Sequence, residues 1–276
     1  MKETNNKKIK FKSFSSGSCG NCYFLGLEED GEISASVIID AGVSLRRLKK
    51  ELAREGLALE SVHAVLVTHD HMDHIRSLGS FCKYLKKPVW ATRTLHEALA
   101  HHSFTEKYIL PCHREFAEGG WSEIVAGKIA VKAFEVPHDA TQTVGFAIVI
   151  GGYTFVIMTD IGEMTKEALE FASKADTVVI ESNYDVDMLM GGPYTYELKM
   201  RICKGHGHLS NDQCAAAIKK FWHDDLRNIF LCHLSEHNNT PELAHKCSEK
   251  ALRELGVEAF PLRALPRQTA SPLFIL

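Results

Sequence analysis

Seven consecutive residues constrain this chain more than any other feature. Thr68-His69-Asp70-His71-Met72-Asp73-His74 follows directly on the apolar run Ala64 to Val67, which places His69, His71, Asp73 and His74 on one loop at a strand end. Imidazole nitrogens and carboxylate oxygens suit zinc and similar borderline ions, and a loop leaving a strand to enter a helix can turn successive side chains toward one point. A merely solvated loop needs no such pattern. The chain is therefore expected to hold metal where this strand ends.

Composition sets the frame for that site. With 276 residues and 45% apolar content, a folded chain buries roughly 75% of the surface it exposes when unfolded, so neither disulfides nor metals are needed merely to fold it. A disordered, collagenous or coiled-coil chain is excluded on the same grounds. The net charge of −3 argues against a uniformly basic surface built for indiscriminate phosphate binding, while leaving room for a local basic groove. The eight cysteines are scattered in no disulfide framework, which fits a reducing compartment. Met1 to Lys12 is Lys-rich but leads into Ser13 to Asn21 rather than an apolar run, and no stretch is long and apolar enough to span a bilayer. The expectation is a cytoplasmic protein with no membrane partner.

Apolar and β-branched runs predict strands over Ser36 to Asp40, Ala64 to Thr68, Lys128 to Phe134, Gly145 to Ile150, Tyr153 to Thr159, Thr177 to Ile180 and Asn228 to Cys232. Gly151-Gly152 supplies the turn of a hairpin whose central residues need positive φ. Helical spacing predicts Asp73 to Leu85, Arg93 to His101, Lys166 to Ala172, Tyr196 to Cys203, Ser210 to Trp222 and Pro241 to Leu255. Ser210 and Gln213 form a capping box at the fifth of these, and Thr240-Pro241 opens the sixth. With no internal repeat and no Pro/Gly/Ser-rich linker, residues 1–276 are expected to form one mixed α/β domain.

The histidine string resembles the signature of the metallo-β-lactamase-fold hydrolases. That resemblance implies a four-layer αββα sandwich holding two metal ions at one edge of its paired sheets. Other motifs of the family can be matched in order. Asp40, in Ile38-Ile39-Asp40-Ala41-Gly42, matches the aspartate that orients a histidine ligand. His138, in Val136-Pro137-His138-Asp139-Ala140, matches the third histidine of the first metal. Asp160, at the end of a buried strand, matches the carboxylate that bridges both metals, and His233, in Leu231-Cys232-His233-Leu234-Ser235, matches the last ligand. The implied ligand set is His69, His71 and His138 on one ion, and Asp73, His74 and His233 on the other, with Asp160 shared. Zn²⁺ and Mn²⁺ both fit such ligands.

Spacing narrows the branch. The stretch between His138 and Asp160 is too short for the substrate-gripping arm of ribonuclease Z enzymes, and that between Asp160 and His233 is too short for the inserted domain of ribonuclease J and related nucleases. Ser16-Gly17-Ser18-Cys19-Gly20-Asn21, Glu181-Ser182-Asn183-Tyr184-Asp185, Gly192-Pro193-Tyr194, Gly207-His208-Leu209-Ser210-Asn211 and His233-Leu234-Ser235-Glu236-His237-Asn238-Asn239 are similar to the YycJ/WalJ-like exonuclease branch. Tyr184 stands where His is frequent in that branch. The branch implies a DNA exonuclease of 5′-to-3′ polarity, serving repair, with a metal-bridging hydroxide as nucleophile.

Phosphodiester cleavage further needs a proton donor for the leaving alkoxide. His208 is the candidate, with Glu181 to orient it by analogy with the Glu/His pair of ribonuclease Z enzymes. The catalytic set so implied is Asp73, His208, Glu181 and Asp40. Cations must meet the substrate backbone, and Lys199, Arg201 and Lys204, which lead into His208, are favoured over other basic runs. Ser18, Asn21, Asn183, Ser210 and Asn211 are expected beside the substrate, the Ser15 to Asn21 loop through backbone N–H groups. Cys19-x-x-Cys22 lacks a second pair and reads as structural. An alternative is a small-molecule hydrolase of the same fold acting on a lactone, thioester or phosphodiester; a closed apolar pocket would favour it, a basic groove the nuclease. A non-catalytic binding protein is disfavoured, because so many clustered imidazoles and carboxylates would be costly to keep without a use.

Overall fold

A computed structural model of the chain describes residues 7–276; the first six residues of the Lys-rich N-terminal stretch lie outside the described residues. Two seven-stranded sheets face each other. The first runs, in spatial order, β14 (Phe274–Ile275), β1 (Lys7–Gly17), β2 (Gly20–Glu29), β3 (Glu32–Ile39), β4 (Ala64–Leu66), β5 (Val89–Ala91) and β6 (His113–Glu115). The second runs β13 (Leu262–Ala264), β12 (Asn228–Cys232), β11 (Thr177–Glu181), β10 (Tyr153–Met158), β9 (Val144–Ile150), β8 (Ile129–Glu135) and β7 (Ser122–Val125). Each sheet is antiparallel on one side and parallel on the other: β3 through β6 and β10 through β13 pair in parallel.

Fully buried aromatics fill the space between the sheets. Phe11 of the first sheet meets Phe155 and Phe230 of the second at 5.1 and 5.0 Å between ring centroids, each such burial being worth roughly 1.5–3 kcal/mol. Helices cover both outer faces. On the first sheet lie α1 (Leu45–Arg54), α2 (Met72–Ile75), α3 (Leu78–Ser80) and α4 (Arg93–His101), burying Leu48, Leu52, Ile75, Leu78, Leu95 and Leu99. On the second lie α5 (Lys166–Ala172), α8 (Asn211–Phe221) and α9 (Pro241–Glu254), burying Ala168, Ile218, Phe221 and Leu252. Between them in sequence run α6 (Val186–Gly191) and α7 (Tyr196–Cys203), the latter with no buried residue. The result is the expected four-layer αββα sandwich.

Local chemistry explains most elements. Ser210 caps α8 in a complete capping box with Gln213, and Gly151 and Gly152, at φ 58° and 90°, turn the β9–β10 hairpin. Two expectations are corrected. The helix anticipated from Asp73 to Leu85 is broken into α2, α3 and a π-helical turn Phe81–Leu85. The Ser77 N–H leaves the helical ladder to donate to the Ala41 carbonyl at 3.0 Å, and Gly79 packs where a Cβ would lie 2.0 Å from the Phe104 carbonyl oxygen. The long hairpin β1–β2 and the helix α1 carry no counterpart in the expected elements. Among the described residues all eight cysteines are free, Cys22 buried in the core and Cys19 exposed. No helix among them is long and apolar enough to cross a membrane.

Candidate metal centre and cleft

The parallel strands end at one edge of the sandwich, the place where open sheets offer side chains to ligands. Asp40 follows β3, the Thr68 to His74 loop follows β4, Asp160 follows β10, Glu181 ends β11 and His233 follows β12. His138 enters from the β8–β9 connection. Asp40 and His233 both adopt left-handed backbone, φ 60° and 52°, a conformation that non-glycine residues hold only when their surroundings over-determine it. For Asp40 the cause is visible. Its buried carboxylate accepts from Thr68 N at 2.9 Å, Thr68 Oγ1 at 2.8 Å and His74 Nδ1 at 2.7 Å, fixing the loop that carries the histidines. Gly42 permits the close approach that follows, because a Cβ there would lie 1.7 Å from the Asp73 carbonyl oxygen.

Each histidine is held through one ring nitrogen, and all but His74, whose Nε2 also meets Asn21 Nδ2 at 2.8 Å, leave the other free of hydrogen bonds. His74 uses Nδ1 on Asp40, His138 donates Nδ1–H to the Gly207 carbonyl at 2.8 Å, and His233 donates Nδ1–H to Glu181 at 2.8 Å. His69 Nδ1 meets Thr68 Oγ1 at 3.0 Å, and His71 Nε2 donates to the Asp139 carbonyl at 3.1 Å. Asp160 Oδ2 stands 3.1 Å from His74 Nε2, and the Nε2 atoms of His69, His138 and His233 are buried and lack any hydrogen-bond partner. Native proteins seldom leave such atoms orphaned. Ligand atoms of His69, His71 and His138 lie within 4.8 Å of one another, as do those of Asp73, His74 and His233, and of His69, His74 and Asp160. These donors fit a divalent metal centre.

Electrostatics agree with that arrangement. Burial pulls His69 and His138 below the usual imidazole range, leaving them as neutral ligands. Burial acts the same way on His74 and His233, but Asp160 together with neighbouring carboxylates outweighs it, pushing His74 up to about 10 and His233 well up. Asp160 and Asp73 stay below the ordinary carboxylate range because His233 and His74 outweigh the burial that would raise them.

Glu181 is the hub of the second half. Fully buried, its Oε1 accepts from His208 Nδ1 and His233 Nδ1, both at 2.8 Å, and from Asn183 Nδ2 at 3.2 Å, while Oε2 accepts the Ile161 and Leu209 N–H groups at 3.0 and 3.2 Å. The two imidazoles hold Glu181 below its usual range against its burial. In return Glu181 raises His208, overcoming the burial that would lower it. His208, partly exposed, lines the cleft beside His71, Asp73, Asp160 and His233.

The remaining expected residues fall into two groups. Ser18, Asn183 and Arg201 line the cleft. Asn21 lies behind it, buried, its amide donating to Asp73 Oδ2 at 3.1 Å and meeting His74 Nε2 at 2.8 Å. Ser210 is spent on capping α8, and Asn211 is locked in a buried cluster with Ser182 and Asn239. Lys199 donates to the Met190 and Gly192 carbonyls, Arg201 pairs with Asp139, and Lys204 is exposed. Residues not assigned from the sequence include Thr68, Asp139, Ser16 and Tyr23, the last two joined to Asn21. Ser16 Oγ accepts the His233 N–H at 2.9 Å and meets Tyr23 OH at 2.9 Å, and Tyr23 donates to Asn21 at 3.2 Å. Only Thr68, wedged between strand and first histidine, carried a local signal.

A family model described as the β-lactamase superfamily domain matches residues 36–230. The chain belongs to that superfamily. Within the β-lactamase superfamily it is 30% identical over 268 residues to exodeoxyribonuclease WalJ of Streptococcus pneumoniae serotype 2 (strain D39), spanning 96% of this chain and 97% of the relative. It is 31% identical over 257 residues to exodeoxyribonuclease YycJ of Bacillus anthracis, spanning 92% and 94%. The solved metallo-β-lactamase fold protein YhfI of Bacillus subtilis shares the fold at TM-score 0.67 and 15% identity, over 95% of this chain and 99% of that one.

Proposed function

We propose that this β-lactamase superfamily member is a dinuclear metal-dependent phosphodiesterase that degrades DNA from an end, in the 5′-to-3′ direction. The observation that carries the proposal is the convergence, in one cleft, of unsatisfied ligand atoms with a carboxylate-backed imidazole. His69, His71 and His138 would hold one ion and Asp73, His74 and His233 the other, with Asp160 between them. Two divalent ions, Zn²⁺ or Mn²⁺, would neutralise charge on the phosphoryl oxygens and acidify the attacking water. His208 donates a proton to the leaving alkoxide, and Glu181 keeps that imidazole charged and aimed. Asp40 and Asn21 hold His74 and Asp73 at fixed angles. Ser18 and Asn183 line the path of the strand, and Arg201 meets a phosphate when it exchanges Asp139 for it.

Near full-length similarity to two proteins named exodeoxyribonucleases supports DNA as the substrate. The cleft wall carries the charged groups Asp73, Asp139, Asp160 and Arg201, unlike the apolar pocket a small ester would want. The test is degradation of duplex DNA labelled at either end, with Mn²⁺ or Zn²⁺, beside a chelator control and Asp73→Ala. Early release of the 5′ label as mononucleotide, dependent on both metal and Asp73, is expected. No cleavage by protein shown to hold two ions would move the assignment to a small-molecule ester or phosphodiester.

A further inference from the structure

The metal cleft is poor in the cations a nucleic-acid strand needs. Arg201 is the one Lys or Arg among its lining residues, and Asp139 already pairs with it. A second cavity has the opposite character. It lies between the π-helical turn Phe81–Leu85 and the segment before β6, lined by Lys83, Lys86 and Lys107 with Tyr84 and Tyr108, and no carboxylate contributes to its wall. Lys83 Nζ stands 5.0 Å from the Tyr84 ring centroid and 5.4 Å from that of Tyr108, so its close partners are aromatic. Tyr84 is 66% exposed, a large solvent-facing ring with no core role. Lys86 closes the turn in left-handed backbone, φ 53°, and π-type turns recur at functional positions.

Because β4, β5 and β6 are parallel, residues that precede β5 and β6 sit at the sheet end opposite the metals. The chain from Met72 to Leu85 joins the two ends through α2, α3 and the π-helical turn.

We propose that this cavity is a docking site for a nucleic-acid single strand. Its lysines meet phosphates, and Tyr84 and Tyr108 stack bases, the combination that binds single strands without reading sequence. The proposal rests on the nuclease assignment, and it supplies the backbone contacts that the metal cleft lacks.

The experiment is fluorescence anisotropy with a labelled single-stranded twenty-mer in excess chelator, so that binding is read without cleavage. Lys83→Ala/Lys107→Ala, both exposed positions, should weaken binding about tenfold, and the slope of log affinity against log salt should flatten by about 0.7 for each lysine removed. Tyr84→Ala should weaken binding about fivefold or more at unchanged salt slope, as expected for lost stacking. Affinity within twofold of the parent chain, with an unchanged slope, would overturn the proposal. So would a poly-glutamate peptide that binds as tightly as the oligonucleotide and loses affinity equally in the double variant, which would make the occupant an acidic protein. Cleavage of a dinucleotide, too short to reach both cavities, separates the two readings. It should be the same in the parent and the double variant; if the parent cuts no DNA yet binds the twenty-mer through these lysines, the nuclease assignment fails and the docking site stands.

Discussion

Glu181→Gln removes one charge and keeps the shape, and its cost can be worked from the five contacts of that carboxylate. With the amide oxygen toward His208 and His233, the new NH₂ faces the Ile161 and Leu209 N–H groups. With the amide reversed, it faces both imidazole N–H groups and the Asn183 amide. Two donors lose their acceptor in the first orientation and three in the second, at about 1–3 kcal/mol for each buried one, so the variant should unfold at lower denaturant. The catalytic effect is larger. Glu181 holds His208 protonated above the range of a free imidazole, so activity that needs His208 as acid falls as pH rises through that raised value. Without the carboxylate only burial remains, which favours the neutral ring, and the alkaline fall moves to lower pH. The loss in kcat should be about 10²–10⁴-fold near neutral pH, the usual range for a positioned proton donor. The assay is kcat against pH on labelled duplex, with bound metal quantified in the same samples because Glu181 also holds His233. A variant with parental kcat, metal content and alkaline limb would refute the assigned role of Glu181.

Asn21→Ala should lower metal affinity about 10–100-fold, read by competition with a chromogenic chelator, because its amide donates to Asp73 Oδ2 and restrains that ligand. Ser210→Ala should cost about 1 kcal/mol of stability through the lost cap and leave kcat per folded molecule unchanged, read by urea unfolding beside turnover; a kcat loss would return Ser210 to the substrate path. Metal uptake by stripped protein in weak buffer near pH 8 should release protons, because carboxylates hold His74 up at about 10 and raise His233 despite their burial. An indicator dye reads that release, and uptake without acidification would contradict it.

Much of the site was legible because its ligands sit where apolar strands stop. His69, His71, Asp73, His74, His138, Asp160 and His233 stand at or after such strands, and the sheets bring them together across long sequence separations. The long hairpin was not legible. Lys7–Gly17 alternates cations and serines with its apolar residues, and Lys12, Ser13, Ser15 and Ser16 are nonetheless buried. The side-chain polar atoms of Lys12, Ser15 and Ser16 find partners only in tertiary structure, as when Lys12 Nζ meets Glu55 and the Ser271 carbonyl. The helix Leu45–Arg54 was legible but masked by its cations: Ser44 caps it and Leu48 and Leu52 keep helical spacing. The amide of Asn21 could not be assigned from sequence, since only the fold of β1 against β2 carries it behind Asp73. The same holds for the basic run before His208, where Lys199 is spent on nearby carbonyls and Arg201 on Asp139.

The most direct test titrates metal-stripped protein with Mn²⁺ or Zn²⁺ while following release of nucleotides from 5′-labelled duplex. Two ions sharing Asp160 predict that activity climbs to a break at two equivalents per chain and that Asp160→Ala abolishes it. A break at one equivalent, or cleavage indifferent to metal, would contradict the dinuclear assignment.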